Sequence, residues 1–279
     1  IPAKNEAVSI GEVVGRIRGD FPKVEVIVVD DGSTDRTAAL AEERGAKVVS
    51  HPVSLGNGAA VKAGARAAEG EILVFLDADG QHDPADIPRL LEKLDEGYDM
   101  VVGARSSSSH ANTARLAANG IYNVIASMVT GHRIPDLTSG FRAVKADLFR
   151  KFLYLLPNGF SYPTTITMAF MRAGYPVDFL PIVAKKRIGK SHIKPLKDGL
   201  RFLIIIFKIA TLYAPLKLFL PASFAFFVLG LGYYLYTFLT DSRFTNMSLL
   251  LFSAAVIIFL IGLISEQITA LNYKDSSES

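Results

Sequence analysis

Apolar positions follow one pattern up to about residue 105 and another after about residue 198. Residues 24–29 (VEVIVV) form a β-branched run that stops at Asp30-Asp31-Gly32-Ser33, a turn-forming segment, and predict a buried strand. Residues 34–44 have helical spacing and end at Gly45, a C-terminal cap. A short strand over 47–50 follows, then a small-residue helix over 58–68 that stops at Gly70. Residues 71–76 (EILVFL) predict a second buried strand. Residues 84–96 predict a helix with Asp83 as N-cap and Pro84 in its first turn, and 100–103 a further strand. Alternating strands and helices predict an α/β domain over 1–195 with a mostly parallel, Rossmann-like sheet. Ligands of such sheets bind beyond the carboxyl ends of the strands, where both Asp30-Asp31 and Asp77/Asp79 fall.

The later part reads differently. Over 196–214, Lys197, Arg201 and Lys208 fall within about 40° on a helical wheel, with Leu200, Leu203, Ile204, Ile206 and Phe207 around the rest. That pattern predicts an amphipathic helix lying in a membrane interface and ending at Pro215. Residues 216–272 then hold two apolar runs, 218–239 and 248–270, joined by a polar turn at Asp241-Ser242-Arg243. Each is long enough to cross a bilayer, which takes about 20 apolar residues. The alternative, core helices of a soluble protein, conflicts with their length and lack of central charge. Two spans return the chain to the side it started from. The cations before the first span, against one Arg in the turn, put that side in the cytoplasm, at the cell membrane or, in a eukaryote, the endoplasmic reticulum.

Composition adds limits. Half of the 279 residues are apolar, and the formal charge of +3 gives no reason to expect a nucleic-acid partner. With no cysteine, disulfides, thiolate metal sites and cysteine nucleophiles are excluded. The chain opens at Ile1-Pro2-Ala3-Lys4-Asn5-Glu6 without Met, so its first strand is expected to begin upstream.

The candidate chemistry centres on Asp77-Ala78-Asp79-Gly80-Gln81-His82, directly after a buried strand. Hard dications take oxygen ligands and are held by one or two carboxylates plus substrate phosphates. Asp77 and Asp79 flank one small residue, with the Gln81 amide two positions on. The plain alternative is a solvated Asp-Gly turn. Asp30-Asp31 has its own alternative, a helix cap, as do Asn5 and Glu6. Arg105 could be a surface charge, and Arg142 an ion-pair partner in the structure.

Pro2-Ala3-Lys4-Asn5-Glu6, Asp30-Asp31-Gly32-Ser33-Thr34-Asp35, Asp77 to His82, Val102-Gly103-Ala104-Arg105 and Thr138-Ser139-Gly140-Phe141-Arg142 occur in an order that resembles glycosyltransferase family 2, with the GT-A fold. With the apolar tail, the chain resembles dolichyl-phosphate mannose synthases and bacterial undecaprenyl-phosphate glucosyltransferases. The resemblance implies that Pro2, Lys4, Glu6 and Asp31 contact the nucleoside of a nucleotide-sugar donor. Asp77, Ala78 and Asp79 would meet its diphosphate, with Asp77, Asp79 and Gln81 on Mg²⁺ or Mn²⁺. Arg105 and Arg115 would lie near the phosphates. Lys4 stands where mannose synthases often have Tyr, which leaves the base open; UDP-hexose is favoured over GDP-mannose by analogy. Asp136 is implicated as a base or acceptor-orienting residue, and Arg105 and Arg142 are further catalytic candidates.

The basic segment 185–194 (KKRIGKSHIK) precedes the apolar tail and reads both as a topology signal and as a phosphate clamp. On the second reading Lys186, Arg187, Lys190 and Ser191, with Ser139, would hold the phosphate of a polyprenyl lipid. The expected activity is inverting hexose transfer to a dolichyl or undecaprenyl phosphate at the bilayer surface. A homo-oligomer through the apolar helices is also an open expectation. A processive polysaccharide synthase is the nearest rival, but those enzymes carry a Gln-x-x-Arg-Trp segment and this chain has no Trp. A non-catalytic membrane scaffold would have no need of Asp77 and Asp79.

Overall fold

A computed structural model describes residues 1–105, 120, 123–124, 126–127, 130–159, 161–184, 207, 211 and 213–274. The chain divides into two compact units, Ile1–Met128 with His132–Gly199, and Val129–Gly131 with Leu200–Ser279.

In the first unit, β1 (Pro2–Ala3), β2 (Ile27–Asp30) and β3 (Lys47–Ser50) form a parallel sheet in that order. All four residues of β2 are buried, as its β-branched run requires. Helix α1 (Ile10–Asp20) buries Ile10, Val13, Val14 and Ile17, one stripe at helical spacing. Helices α2 (Thr37–Glu43) and α3 (Asn57–Ala67) complete the alternation; Gly45 follows α2 at φ +83°, the left-handed cap expected there. Strand β4 (Ile72–Phe75) follows. The helix predicted over 84–96 is split. A 3₁₀ turn, Pro84–Asp86, is capped by the Asp83 carboxylate on the Ala85 N–H, and α4 (Ile87–Asp95) continues from it. Leu90 of α4 has no exposed surface, and Leu90→Ala would cost about 2–5 kcal/mol.

The second sheet is mixed, not parallel throughout. Its order is β4, β6 (Arg142–Lys145), β5 (Met100–Arg105) and β7 (Val177–Ile182), with β6 antiparallel to both its neighbours and β5 parallel to β7. The chain reaches β6 from the edge where β4 and β5 end, so β6 must run back between them. Arg142 therefore pairs with Phe75 on one side and Val102 on the other. This brings segment 136–141 to the carboxyl ends of β4 and β5. Helices α5 (Ala146–Lys151) and α6 (Tyr162–Arg172) pack behind, with Phe149 against Phe75 at 4.7 Å.

The second unit is a hairpin of α7 (Pro215–Asp241) and α8 (Asn246–Lys274), the turn closed by Ser242 in a left-handed conformation. Both helices are long and apolar enough to cross a membrane, and only 6% and 17% of their most apolar windows are buried. Core helices would bury far more; these surfaces suit lipid. The helices touch through glycines: a Cβ on Gly230 would meet Leu251 and Phe252, and one on Gly262 would meet Phe219. Such small residues let helix backbones approach. The Glu266 carboxylate accepts the Leu216 N–H at the start of α7. The predicted interfacial helix over 196–214 lies largely outside the described residues.

Candidate functional site

The acidic loop follows β4. Leu76 and Ala78 are buried and anchor it, while Asp77 is partly exposed and Asp79 nearly covered. Gly80 turns the chain at φ +71°, and the Gln81 N–H donates to Asp79 Oδ1 at 3.1 Å. From α1, Arg16 bonds Asp83 at 2.6 Å and fixes the far end of the loop.

Segment 136–142 forms the opposite wall. Arg105, at the end of β5, holds Asp136 through Nε at 2.7 Å and a terminal nitrogen at 3.0 Å, and also donates to Thr138 Oγ1. The Arg105 and Thr138 N–H groups add to the same carboxylate. Burial alone would raise the Asp136 pKa, but the Arg105 guanidinium and these N–H donors hold it below the usual range. Burial opposes the Arg105 cation too; Asp136 first, then Asp77 and Asp79, offset that and hold its pKa above the arginine range. Asp136 is thus a carboxylate held in place by Arg105 and by the N–H groups of Arg105 and Thr138.

Gly140 lies against the Asp77 carboxylate so closely that a Cβ would stand 2.9 and 3.1 Å from its oxygens. Phe141 stacks on His82 at 5.2 Å, and His82 Nδ1 is 3.9 Å from Asp77. Burial holds the His82 pKa down, against the opposing pull of the Asp77 and Asp79 carboxylates. Arg142 has no exposed surface. It donates to the Pro163 carbonyl and Thr167 Oγ1 at 3.1 Å, and to the Ser139 carbonyl. Ser139 is equally inaccessible. Both were expected to touch substrate; instead Arg142 braces the loop from behind, and Ser139 is the residue it braces.

On the first sheet the two N-terminal motifs interlock. Asn5, at φ +54°, accepts from the Thr34 N–H and donates its own N–H to Ser33 Oγ, while the Glu6 N–H donates to Thr37 Oγ1. Pro2 pairs with Val29 beside Asp31; Lys4 is exposed and Glu6 half-buried. Asp31 is saturated. Oδ1 accepts from His51 and the Leu55 N–H, and Oδ2 from Ser54 Oγ and the Gly56 N–H, all within 2.9 Å. Burial pushes its pKa up, but these four donors outweigh it and lower it to about 2. Arg115, Lys186, Arg187, Lys190 and Ser191 lie outside the described residues.

The structure therefore brings Asp77, Asp79, His82, Arg105, Asp136, Gly140 and Phe141 into one electrostatic neighbourhood. The sequence placed His82 in the acidic motif without a role of its own and gave no sign of Arg16, His51 and Ser54. His82 had a visible cue, its place next to Gln81. The other three act across strands and helices and leave no local trace.

A sequence model of glycosyl transferase family 2 matches residues 1–153, more than half of the chain, and a second, the GtrB C-terminal hairpin, matches 214–271. The chain belongs to glycosyltransferase family 2. As a member, it is a glycosyltransferase with a GT-A domain and a C-terminal apolar hairpin. It is similar to the polyprenol monophosphomannose synthase of Mycolicibacterium smegmatis, 31% identical over 69% of this chain and 79% of that protein. It is also similar to the dolichyl-phosphate hexose transferase of Haloferax volcanii, 32% identical over 70% and 85%. Among solved structures, it resembles glucosyl-3-phosphoglycerate synthase from Mycobacterium tuberculosis in complex with Mn²⁺ and UDP-glucose. That likeness has a TM-score of 0.57 and 25% identity over 75% of this chain and 77% of that one.

Among the described residues, no three His, Cys, Asp or Glu side chains are arranged to hold a metal. The family 2 site can offer Asp77 and Asp79, with the Gln81 amide, an all-oxygen set that leaves positions for substrate phosphates. Asp136 is already paired with Arg105, whereas Asp77 and Asp79 stand two positions apart at the strand end with Asp77 partly exposed. The absent side chain at Gly140 leaves Asp77 room to turn toward a cation. The residues fit a hard divalent ion.

Proposed function

We propose that this glycosyltransferase moves a hexose, with inversion, from a nucleoside diphosphate to a polyprenyl phosphate at the cytoplasmic face of a membrane. UDP-hexose is the favoured donor and GDP-mannose the alternative. The observation that carries this reading is the pair Asp77/Asp79 at a strand end, buttressed by Arg105–Asp136, in a chain that ends in a bilayer-length hairpin over 215–274. The relatives named for transfer to polyprenol and dolichyl phosphates support the acceptor.

Asp77, Asp79 and Gln81 would hold Mg²⁺ or Mn²⁺; when bound, the ion neutralises charge developing on the departing diphosphate. The fold neighbour described with Mn²⁺ and UDP-glucose supports a divalent ion and a UDP-linked donor. The chain's own residues do the rest by positioning. Segment 136–142 holds Asp77 from one side and Arg16–Asp83 holds the loop from the other.

A phosphomonoester is mostly dianionic at pH 7, its second pKa being about 6. Its oxygen can attack the anomeric carbon while the bond to the diphosphate breaks, and no proton has to be removed. An Asp136 locked as a carboxylate by Arg105 agrees with this, because the reaction asks for geometry and not for a base. Lys186, Arg187, Lys190 and Ser191 are proposed to hold the acceptor phosphate.

The test is direct. Purified protein, Mg²⁺ or Mn²⁺ and polyprenyl phosphate are incubated with a panel of UDP- and GDP-sugars, and a charged glycolipid is sought. One product with one donor is expected. Nucleotide binding without any product would favour the scaffold reading, and a growing polymer the processive one.

A further inference from the structure

Both carboxylate oxygens of Asp31 are engaged within the chain. A carboxylate offers about four lone-pair directions, and His51, Leu55, Ser54 and Gly56 occupy all four. The neighbouring Gly32, at φ +67°, is pressed so closely against the Val53–Ser54 backbone that a Cβ would stand 2.8 Å from the Ser54 nitrogen. Asp31 therefore folds segment 51–56 over the end of β2. Val53 and Leu55 are 61% and 48% exposed on that segment, apolar side chains left open beside a site expected to take a flat aromatic base.

Within this arrangement His51 has one defined task. It follows β3, where its N–H donates to the Asp30 carbonyl and its side chain is mostly buried. Its Nδ1 is 2.9 Å from Asp31 Oδ1. The carboxylate is ionised and can only accept, so Nδ1 carries the proton. His51 and the Leu55 N–H share one oxygen, which ties β3 to the loop through Asp31.

We propose that His51 is a positioning residue of the donor's nucleoside subsite, setting Asp31 and, through it, the 51–56 loop that meets the base. The inference rests on the nucleotide-sugar reading above.

Three variants separate the possibilities. The Asn amide nitrogen stands near the place of Nδ1, whereas the Gln nitrogen stands nearer Nε2. His51→Asn is therefore expected to hold Asp31, and His51→Gln and His51→Phe to release it. Binding of UDP and of GDP is measured by calorimetry without divalent ion, so that the metal site does not enter, and the KM of the donor is measured beside kcat. His51→Gln and His51→Phe should weaken nucleotide binding and raise donor KM by about tenfold, the loss of one charge-assisted hydrogen bond. Acceptor KM and melting temperature should hold, and His51→Asn should stay within about twofold of wild type. Equal losses in Asn and Gln variants, unchanged binding in all three, or a loss confined to kcat or to the melting temperature would overturn the inference. A wild-type protein that binds neither UDP nor GDP would overturn the donor reading along with it.

Discussion

The guanidinium of Arg105 spans both carboxylate oxygens of Asp136, one through Nε at 2.7 Å and the other at 3.0 Å. Bidentate pairs of this kind fix geometry as well as charge. Asp136→Asn should leave the acid limb of the pH–rate profile in place, since no base is lost, while lowering kcat through a displaced Arg105. Removing one partner of a mostly buried pair should also lower stability by about 3 kcal/mol, measured by chemical denaturation. An acid limb that vanishes in the variant would restore Asp136 as the base.

Among the described glycines, Gly140 alone would bring an added Cβ against the Asp77 carboxylate. Gly140→Ala should push the Asp77 carboxylate aside while the fold survives, because a short exposed side chain can rotate. Metal affinity should fall at least about tenfold, in line with other losses around metal ligands. Titration of Mn²⁺ by electron paramagnetic resonance, with and without nucleoside diphosphate, reads this directly. Unchanged affinity would show that Asp77 does not ligate the ion.

What could be read from the chain and what could not divide along a physical line. The β-branched run before Asp30, the helical spacing over 34–44 and the loop after Phe75 are local, and each was recovered within a few residues. Strand β6 was not anticipated. It has four residues, and its place between β4 and β5 depends on pairing partners 67 or more positions away in one case and about 40 in the other. The same holds within the site. Asp77 and Asp79 announce themselves by spacing, but nothing local to Arg142 says that its side chain turns inward to Ser139, Pro163 and Thr167. Asp31 was legible as a functional carboxylate, while the four donors that fill it come from a loop twenty or more residues on.

Asp31 also gives the first unit an acid-sensitive point. Its folded pKa is depressed to about 2 from the ordinary aspartate value of 3.8. A depressed carboxylate stabilises the folded state above its unfolded pKa and loses that contribution as pH falls through the folded one. The shift corresponds to about 2 kcal/mol, present at pH 7 and fading between about pH 4 and pH 2. Amide exchange at Leu55 and Gly56, whose N–H groups bond Asp31, should therefore be well protected at pH 6 and lose protection at pH 3 ahead of the β2 amides. In Asp31→Asn the two amides should be poorly protected at both values. Equal protection of Leu55 and Gly56 in wild type and variant would remove the carboxylate from this role.

The hairpin gives a prediction with an internal control. A Cβ on Gly262 would stand 2.8 Å from Phe219 Cβ, whereas one on Gly232 meets nothing within 4 Å. By helix propensity alone, either glycine replaced by alanine gains about 1 kcal/mol. Gly232→Ala should therefore be neutral or stabilising, and Gly262→Ala should force α7 and α8 apart. The readout is a cysteine pair placed at Ser223 and Ala255, where the Ser223 hydroxyl now reaches the Ala255 carbonyl at 2.8 Å. The chain has no cysteine of its own, so any intramolecular disulfide reports this pair. In membranes, oxidation should close the pair readily in the parent and in Gly232→Ala, and several times more slowly in Gly262→Ala. Closure at the same rate in all three would mean that the helices do not depend on backbone approach at Gly262. The packing seen between Gly262 and Phe219 would then not be what holds the hairpin shut.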